Sequence, residues 1–188
     1  MLPNGLNLRG WLYEFEGDAV NARRVVERAL DLGFATSHLT LAFIENGDGN
    51  DAKAIAAMES GFTAYGAGLP AETSRIVAEG VFGDEVARRR AVGHVESLLA
   101  SRTGHTPATL PYALMILGEP ARALEVIQAE PTWSGIWELS LWHPRGLAAR
   151  RLPQFAEFAR RVGFAAAWDK YGPPDGCRKT KGGDYVCD

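Results

Sequence analysis

Two cysteines near the carboxyl end are the side chains best placed to react with each other. Cys177 and Cys187 have nine residues between them, and Gly182-Gly183 predicts a turn in that stretch. A hairpin there would bring the sulfurs together, and a disulfide closing so short a loop would stabilise the tail by roughly 3 kcal/mol. Because such a bond needs an oxidising compartment, two reduced thiols in a cytosolic protein are the alternative.

Metal binding is a weaker interpretation of these polar residues. Structural zinc sites usually have two to four residues inside each ligand pair, and the spacing of the two cysteines does not meet that requirement. Asp48 and Asn50 lie in a turn sequence, but the further acidic ligands and the closing glutamate of a calcium loop are absent. We therefore expect neither a metal nor a cofactor.

The histidines do not suggest a catalytic site. The chain has no nucleophile elbow, phosphate-binding loop, metalloprotease helix or dinucleotide-binding glycine motif. His143, beside Trp142 and Arg145, lies in the one cluster where an imidazole pKa could be shifted. The remaining histidines are scattered: His38, His94 and His105. We expect no enzymatic activity and no catalytic residue.

Helical hairpins are the elements that must position these side chains. Within residues 6–34, Gly10 and Ala22 are small, and small residues where two helices cross let the backbones approach closely. The residues expected to fill the seam are Tyr13, Val26 and Ala29. The pattern predicts one helix from about Asn4 to Phe15 and a second from Asp18 to Leu32, and Ser37 is expected to cap a third.

A boundary between two helices recurs along the chain as a glycine followed by an acidic residue. Glycine ends a helix readily, and an acidic side chain suits the positive end of the next helix dipole. The pairs are Gly17-Asp18, Gly47-Asp48, Gly83-Asp84 and Gly118-Glu119, at intervals of 30, 36 and 35 residues. They predict about four degenerate hairpins over residues 1–130, and an irregular helical bundle is the alternative.

The first hairpin resembles the tetratricopeptide repeat (TPR). It reads Leu6-x2-Arg9-Gly10-x2-Tyr13, then Ala22-x3-Val26-x2-Ala29, with Arg9 where the family usually has leucine. The resemblance implies an all-α fold, a right-handed superhelical stack of antiparallel helical hairpins of the kind called a TPR-like α-solenoid.

The carboxyl-terminal part carries a second resemblance. Residues 131–172 are expected to form closing, Trp-rich helices, and residues 173–188 a cysteine-containing tail. The matching residues are Leu141-Trp142-His143-Pro144, Leu152-Pro153-Gln154-Phe155 and Trp168-x2-Tyr171-Gly172-x-Pro174-Asp175-x-Cys177. They resemble the end of TPR-like regions that lie C-terminal to winged-helix domains of membrane-anchored bacterial regulators, or to nucleotide cyclases. Pro173 stands where such tails often have tryptophan, and the sequence shows no effector domain.

Three tryptophans crowd the start of this region. Trp133, Trp137 and Trp142 are spaced so that their indoles could share one helical face. They could line an aromatic pocket for a peptide or an apolar ligand, or they could be the packing that seals the last repeat.

Composition argues against two classes of partner. The net charge is -3 and Lys and Arg are spread along the chain, so we expect no direct nucleic-acid contact. No apolar run approaches the roughly 18 residues of a membrane span, so we expect no membrane segment. The expected location is the cytoplasm, or the periplasm if the two cysteines are bridged.

In arrays of the kind that this chain resembles, the first helix of each hairpin lines a concave face that holds a peptide. The resemblance therefore implies these partner-binding residues: His38, Thr40, Glu45, Arg75, Glu79, Tyr112, Met115, Trp133 and Trp137. The expected function is a non-catalytic module that binds a protein or peptide, as a regulatory part of a larger bacterial protein. The alternatives are a sensory C-terminal domain of a membrane-anchored transcriptional regulator, responding to a small ligand or to redox state, and a scaffold that forms a homodimer.

Overall fold

The computed structural model describes residues 2–64, 69–104, 106–129 and 141–187. These residues are mostly helical, as an all-α fold requires, and they include one two-stranded sheet. None of their helices combines the length and the hydropathy that a membrane crossing needs. The chain divides into two compact units, Met1–Thr109 and Leu110–Asp188.

The first unit consists of helices that pack in chain order. They are α1 (Pro3–Phe15), α2 (Ala19–Asp31), α3 (His38–Gly47), α4 (Asp51–Ala64), α5 (Ala71–Phe82) and α6 (Glu85–Ser101), with a 3-10 turn over Ala35–Ser37. The closest packing is of α1 on α2, α3 on α4, α4 on α5 and α5 on α6. Short connections make such neighbours antiparallel, so the first six helices form three helical hairpins.

The first hairpin has the close helix crossing that its small residues predict. Ala22 and Val26 are fully buried, and Tyr13 packs against them. A Cβ atom added to Gly10 would lie 2.6 Å from Cγ2 of Val26, closer than side chains normally approach. Only glycine therefore lets α1 lie this near to α2 without a shift.

Acidic N-caps start two of the predicted helices. The carboxylate of Asp18 accepts a hydrogen bond from the backbone N–H of Asn21 at 3.0 Å, and Asp84 accepts one from Ala87 at 2.9 Å. Each bond satisfies a donor that the first turn of a helix otherwise leaves unpaired. The side-chain amide of Asn21 also donates to Asp18, at 2.6 Å, and this bond together with the backbone one holds the pKa of the Asp18 carboxyl below its ordinary value.

The second predicted boundary is displaced by two residues. Gly47 is still part of α3, and it is Gly49 that takes the left-handed conformation, with φ 77°, followed by Asn50 at the start of α4. With Gly49-Asn50 as the second boundary, the four boundaries are 32, 34 and 35 residues apart. The observed turns are thus more regular than the predicted ones.

The expected cap at Ser37 is wrong. Ser37 closes the 3-10 turn before α3 in a helical conformation, and its side chain caps nothing. Its hydroxyl is buried without a hydrogen-bond partner among the described residues. The 3-10 turn takes the place that the extended N-cap residue would need.

Gly61 provides a test of the α3–α4 crossing. A Cβ atom added there would lie 2.7 Å from Cγ and 2.8 Å from the backbone nitrogen of Leu39. Because a backbone atom cannot rotate away, Gly61→Ala should lower the free energy of unfolding by about 1–2 kcal/mol despite the better helix propensity of alanine. Gly93→Ala is the matched control, since its Cβ would meet nothing within 4 Å, and it should raise stability by about 0.5–1 kcal/mol. Urea unfolding measures both, and equal effects would contradict the crossing.

The second unit combines short helices with a β-hairpin. Its elements are α7 (Thr109–Ile116), which begins at the boundary residue, α8 (Pro120–Ala129), a 3-10 turn (Pro144–Gly146), α9 (Leu147–Arg150), α10 (Phe155–Arg161), α11 (Phe164–Tyr171), β1 (Cys177–Lys179) and β2 (Tyr185–Cys187). Helix α8 packs against α9 and α10, and α10 also contacts α11 and β2. The strands are antiparallel, and Cys177 stands opposite Cys187. Large buried side chains fill the interior: Leu114, Leu124, Ile127, Phe155 and Phe158.

Candidate functional site

Two of the predicted partner-binding residues are occupied by folding contacts. The hydroxyl of Thr40, which is almost fully buried, accepts a hydrogen bond from the indole N–H of Trp11 at 2.8 Å and donates one to Asn7 at 3.1 Å. Glu45 is also buried, and its carboxylate accepts hydrogen bonds from Arg23 at 2.6 Å and Asn50 at 3.0 Å. Both side chains tie α3 to neighbouring segments of the first unit.

Two other predicted residues lie on the surface together. Arg75 and Glu79, one turn apart on α5, form an ion pair of 2.7 Å, and Arg90 on α6 also pairs with Glu79. The Arg75 side chain is 52% exposed, so it is accessible to a partner. A role of Arg75 and Glu79 in binding a partner stays a prediction.

His38 occupies a half-buried position at the start of α3. Its Nδ1 atom is buried and has no hydrogen-bond partner among the described residues. Burial lowers the pKa of the imidazole below its ordinary value, because a charged ring would lose hydration without gaining a partner. The neutral form is therefore favoured in the folded chain.

In the second unit the predicted residues fall into a core. Tyr112 and Met115 are buried, and the ring of Tyr112 meets His143 edge to face at 6.0 Å. His143 is 1% exposed, and burial, with the positive charge of Arg145, lowers its pKa to about 3. The backbone N–H of Arg145 donates to Nδ1 of this neutral ring at 3.2 Å. Trp133 and Trp137 lie outside the described residues.

Aromatic packing holds the end of the chain against α11. The rings of Trp142 and Trp168 are stacked with their centroids 6.2 Å apart. Trp168 also meets Tyr185 of β2 edge to face, at a centroid distance of 5.0 Å. The hydroxyl of Tyr185 donates to Asp169 at 2.7 Å, and Lys179 of β1 pairs with the same carboxylate at 2.5 Å. Cys177 and Cys187 form a disulfide, which is one of the two states that the sequence left open. These contacts make the tail a structural element.

A small groove opens in the first unit where α1, α2 and α3 meet. Its volume is about 210 Å³. The lining residues are Glu14, Gly17, Ala19, Ala22, Phe43, Ile44, Gly47 and Asp48. Ala22, Phe43 and Ile44 are buried and form an apolar floor, whereas Glu14 and Asp48 add carboxylates. The groove therefore offers an apolar surface beside negative charge.

A cluster of ion pairs lies beside this groove and shares Asp48 with it. The guanidinium of Arg23 pairs with three carboxylates, those of Glu27, Glu45 and Asp48, at 3.4, 2.6 and 2.9 Å. These contacts, with the hydrogen bond to Glu45 the strongest, raise the pKa of Arg23, which stays charged. One positive charge cannot neutralise three negative ones, and Lys53 on α4 adds a weaker interaction with Glu45.

The Arg23–Glu45 pair should make stability depend on pH. The hydrogen bond from Arg23 lowers the pKa of Glu45, so its contribution is complete above the unfolded-state pKa of about 4.3 and is lost as pH falls through the lower folded-state pKa. Glu45→Gln should lower the free energy of unfolding at pH 7 by about 1–2 kcal/mol and flatten the decline in acid. Urea unfolding at a series of pH values measures this. Glu125→Gln, at an exposed position on α8, is the control, and an unchanged acid profile for Glu45→Gln would contradict the assignment.

A second, open groove lies along α4. It has a volume of about 480 Å³ and is lined mostly by small side chains: Ala56, Glu59, Ser60, Thr63, Ala64 and Ala71. Among the described residues, no group of three or more His, Cys, Asp or Glu side chains is placed to hold a metal ion.

Sequence reasoning missed the groove between α1, α2 and α3. The sequence predicts the residues at its mouth, Gly17 and Gly47-Asp48, as helix boundaries, and the one other role considered for Asp48 is that of a calcium ligand. The available signal was that two glycines, which leave space, coincide with acidic neighbours at the ends of two helices.

No family model, no curated protein and no solved structure matches this chain.

Proposed function

We propose that this chain is a non-catalytic, TPR-like helical-repeat module that binds an extended peptide of a partner protein, as a regulatory part of a larger bacterial protein. The observation that carries the proposal is the recurrence of one hairpin unit. Its turns at Gly17-Asp18, Gly49-Asn50, Gly83-Asp84 and Gly118-Glu119 are 32, 34 and 35 residues apart. That spacing is close to the period of about 34 residues typical of tetratricopeptide repeats.

A stack of such units favours binding over catalysis. Each hairpin of the first unit buries apolar side chains, as the fully buried Ala22, Met58 and Val77 illustrate, and it leaves outward surfaces and inter-helix grooves. The buried polar residues Thr40 and Glu45 are used in folding contacts. What is left accessible in the first unit, such as Arg75 and Glu79, suits recognition of a polar, extended ligand.

The test uses peptides selected by the protein itself. A random linear peptide library displayed on phage is selected on the immobilised chain, and enriched peptides are synthesised and titrated calorimetrically. We expect Arg75→Ala to weaken binding about five- to tenfold, because it removes an exposed guanidinium from the proposed binding face. Arg89→Ala is the matched control, since it removes from α6 a guanidinium whose side chain is also largely exposed, 66% against 52% for Arg75. A selection that enriches no peptide, or equal effects of the two variants, would overturn the proposal.

The disulfide favours a second candidate function, a sensory region that responds to redox state. Cys187 is 5% exposed and its strand contacts Trp168 through Tyr185, so opening the bond could change the surface of the second unit. The affinity of a selected peptide is measured with the bond intact and after reduction. A changed affinity supports redox sensing, and an unchanged one removes it.

A further inference from the structure

We propose that the groove between α1, α2 and α3 receives a lysine or arginine side chain of the bound peptide. The proposal rests on the proposed function, because it specifies one pocket of the same peptide-binding module. The size of the groove, its apolar floor and the carboxylates near it together indicate a basic side chain.

The size of the groove suits one side chain rather than a whole small molecule. Its volume of about 210 Å³ lies below the range of about 300–1,000 Å³ typical of small-molecule sites. The mouth carries Gly17 and Gly47, where an added Cβ would meet nothing within 4 Å. A partner side chain can therefore enter without displacing atoms of the protein.

The floor is apolar and the rim is acidic. Ala22, Phe43 and Ile44 line the floor, and the small surface that Phe43 and Ile44 keep exposed is apolar and suits contact with a chain of methylene groups. Glu14 and Asp48 also line this groove, and the Asp48 side chain is 49% exposed. Lysine and arginine are the side chains that combine a methylene stem with a cationic head, so each part of the groove has a matching part of the ligand.

The local field also favours a cation. Arg23 pairs with Asp48 and is shared with Glu27 and Glu45, so three carboxylates face this one guanidinium. The groove lies at the carboxyl ends of α1 and α3, where the helix dipoles place partial negative charge. The opposing positive end of α2 is capped by the carboxylate of Asp18. A glutamate side chain should therefore be rejected from the groove.

The test compares peptides that differ only in the inserted side chain. Four sets of acetylated and amidated heptapeptides carry Lys, Arg, norleucine or Glu at the central position and a mixture of neutral residues elsewhere. Norleucine keeps the stem of lysine and lacks its charge. We expect the Lys and Arg sets to bind about tenfold more tightly than the norleucine set, and the Glu set to bind most weakly. Fluorescence anisotropy measures the four affinities.

One substitution should close the groove without harming the fold. Gly47→Leu places a bulky group at the mouth, and its Cβ meets no atom within 4 Å. Gly93→Leu is the matched control, because Gly93 is also helical, open and free of contacts and lies on α6. Neither change alters the net charge, so non-specific attraction of cationic peptides is the same in both. We expect Gly47→Leu to abolish the preference for Lys and Arg, and Gly93→Leu to keep it.

A second variant tests the charge separately from the shape. Asp48→Asn keeps the side-chain volume, and it should reduce the preference for Lys over norleucine several-fold. Asp31→Asn, at an exposed position near the end of α2, changes the net charge equally and should leave the preference intact. Equal effects of these two variants would show that the preference reflects net charge only, which overturns the groove assignment.

The possible failures are distinguishable. If the protein binds selected peptides but shows no preference for Lys or Arg, or keeps that preference after Gly47→Leu, the groove proposal is wrong and peptide binding stands. If it binds none of the four sets and selects no peptide, the proposed function is wrong and the groove proposal fails with it.

Discussion

Phe158→Ala is expected to lower the free energy of unfolding by about 3–5 kcal/mol, the range for truncating a buried phenylalanine. Phe158 on α10 is fully buried, stacks on Phe155 at 5.7 Å and meets Phe164 edge to face at 6.2 Å. Alanine would leave a cavity between α10 and α11 and would remove both ring contacts. Such a loss is a large part of the roughly 5–15 kcal/mol that stabilises a typical domain.

Urea unfolding, followed by tryptophan fluorescence and by circular dichroism, measures this change. Tyr171→Ala is the control, because that ring on α11 is 77% exposed and its removal should cost at most about 0.5 kcal/mol. Phe158→Leu should fall between the two, since leucine refills part of the space. If Phe158→Ala cost no more than Tyr171→Ala, the aromatic cluster would not be the core of the second unit.

Local signals explain why the sequence predicts the helices well. The first helix, predicted from about Asn4 to Phe15, is Pro3–Phe15 in the structure. Asp18, the predicted first residue of the second helix, is the N-cap residue of α2, which begins at Ala19. The end of α1 and the start of α2 depend on residues within one turn of each other. Gly17 takes a positive φ, and the carboxylate of Asp18 accepts a hydrogen bond from the backbone N–H of Asn21, three residues on. Such information is present in any short stretch of sequence.

The second boundary was predicted two residues too early because its local sequence is ambiguous. The stretch from Asn46 to Asn50 has two glycines, and either could end a helix. In the structure Asn50 donates to Glu45 at 3.0 Å, and Glu45 is held by Arg23 of α2. The second of these contacts spans more than 20 residues, so the choice between Gly47 and Gly49 depends partly on tertiary packing, which a local pattern does not contain.

The same limit applies to the candidate site. Thr40 and Glu45 have the polar character of binding residues, but Trp11 and Arg23 reach them from other helices and bury them. The groove needs α1, α2 and α3 to be placed together before its floor and rim exist. Periodicity assigns a residue to a helix face, and only the packed structure shows whether that face is filled by a neighbour or left open.

Breaking the Cys177–Cys187 bond is expected to lower the free energy of unfolding by roughly 3 kcal/mol, because the bond closes a short loop with a sequence separation of 10 and so restricts the unfolded chain. The two strands that it joins have three residues each, and so short a hairpin is marginally stable alone. The contacts of Tyr185 with Trp168 and of Lys179 with Asp169 hold the hairpin to α11. They should keep part of the tail in place after reduction.

Urea unfolding of the native chain, with and without reductant, measures the effect, and the double variant Cys177→Ala/Cys187→Ala should match the reduced chain. Adding reductant to that variant is the control and should change nothing. Near-ultraviolet circular dichroism should report a changed environment of Trp168, whereas the helical far-ultraviolet signal should persist, because only the hairpin loses its covalent restraint. If reduction left stability unchanged, the aromatic and ionic contacts with α11 would be sufficient to order the tail, and the redox function would lose its structural basis.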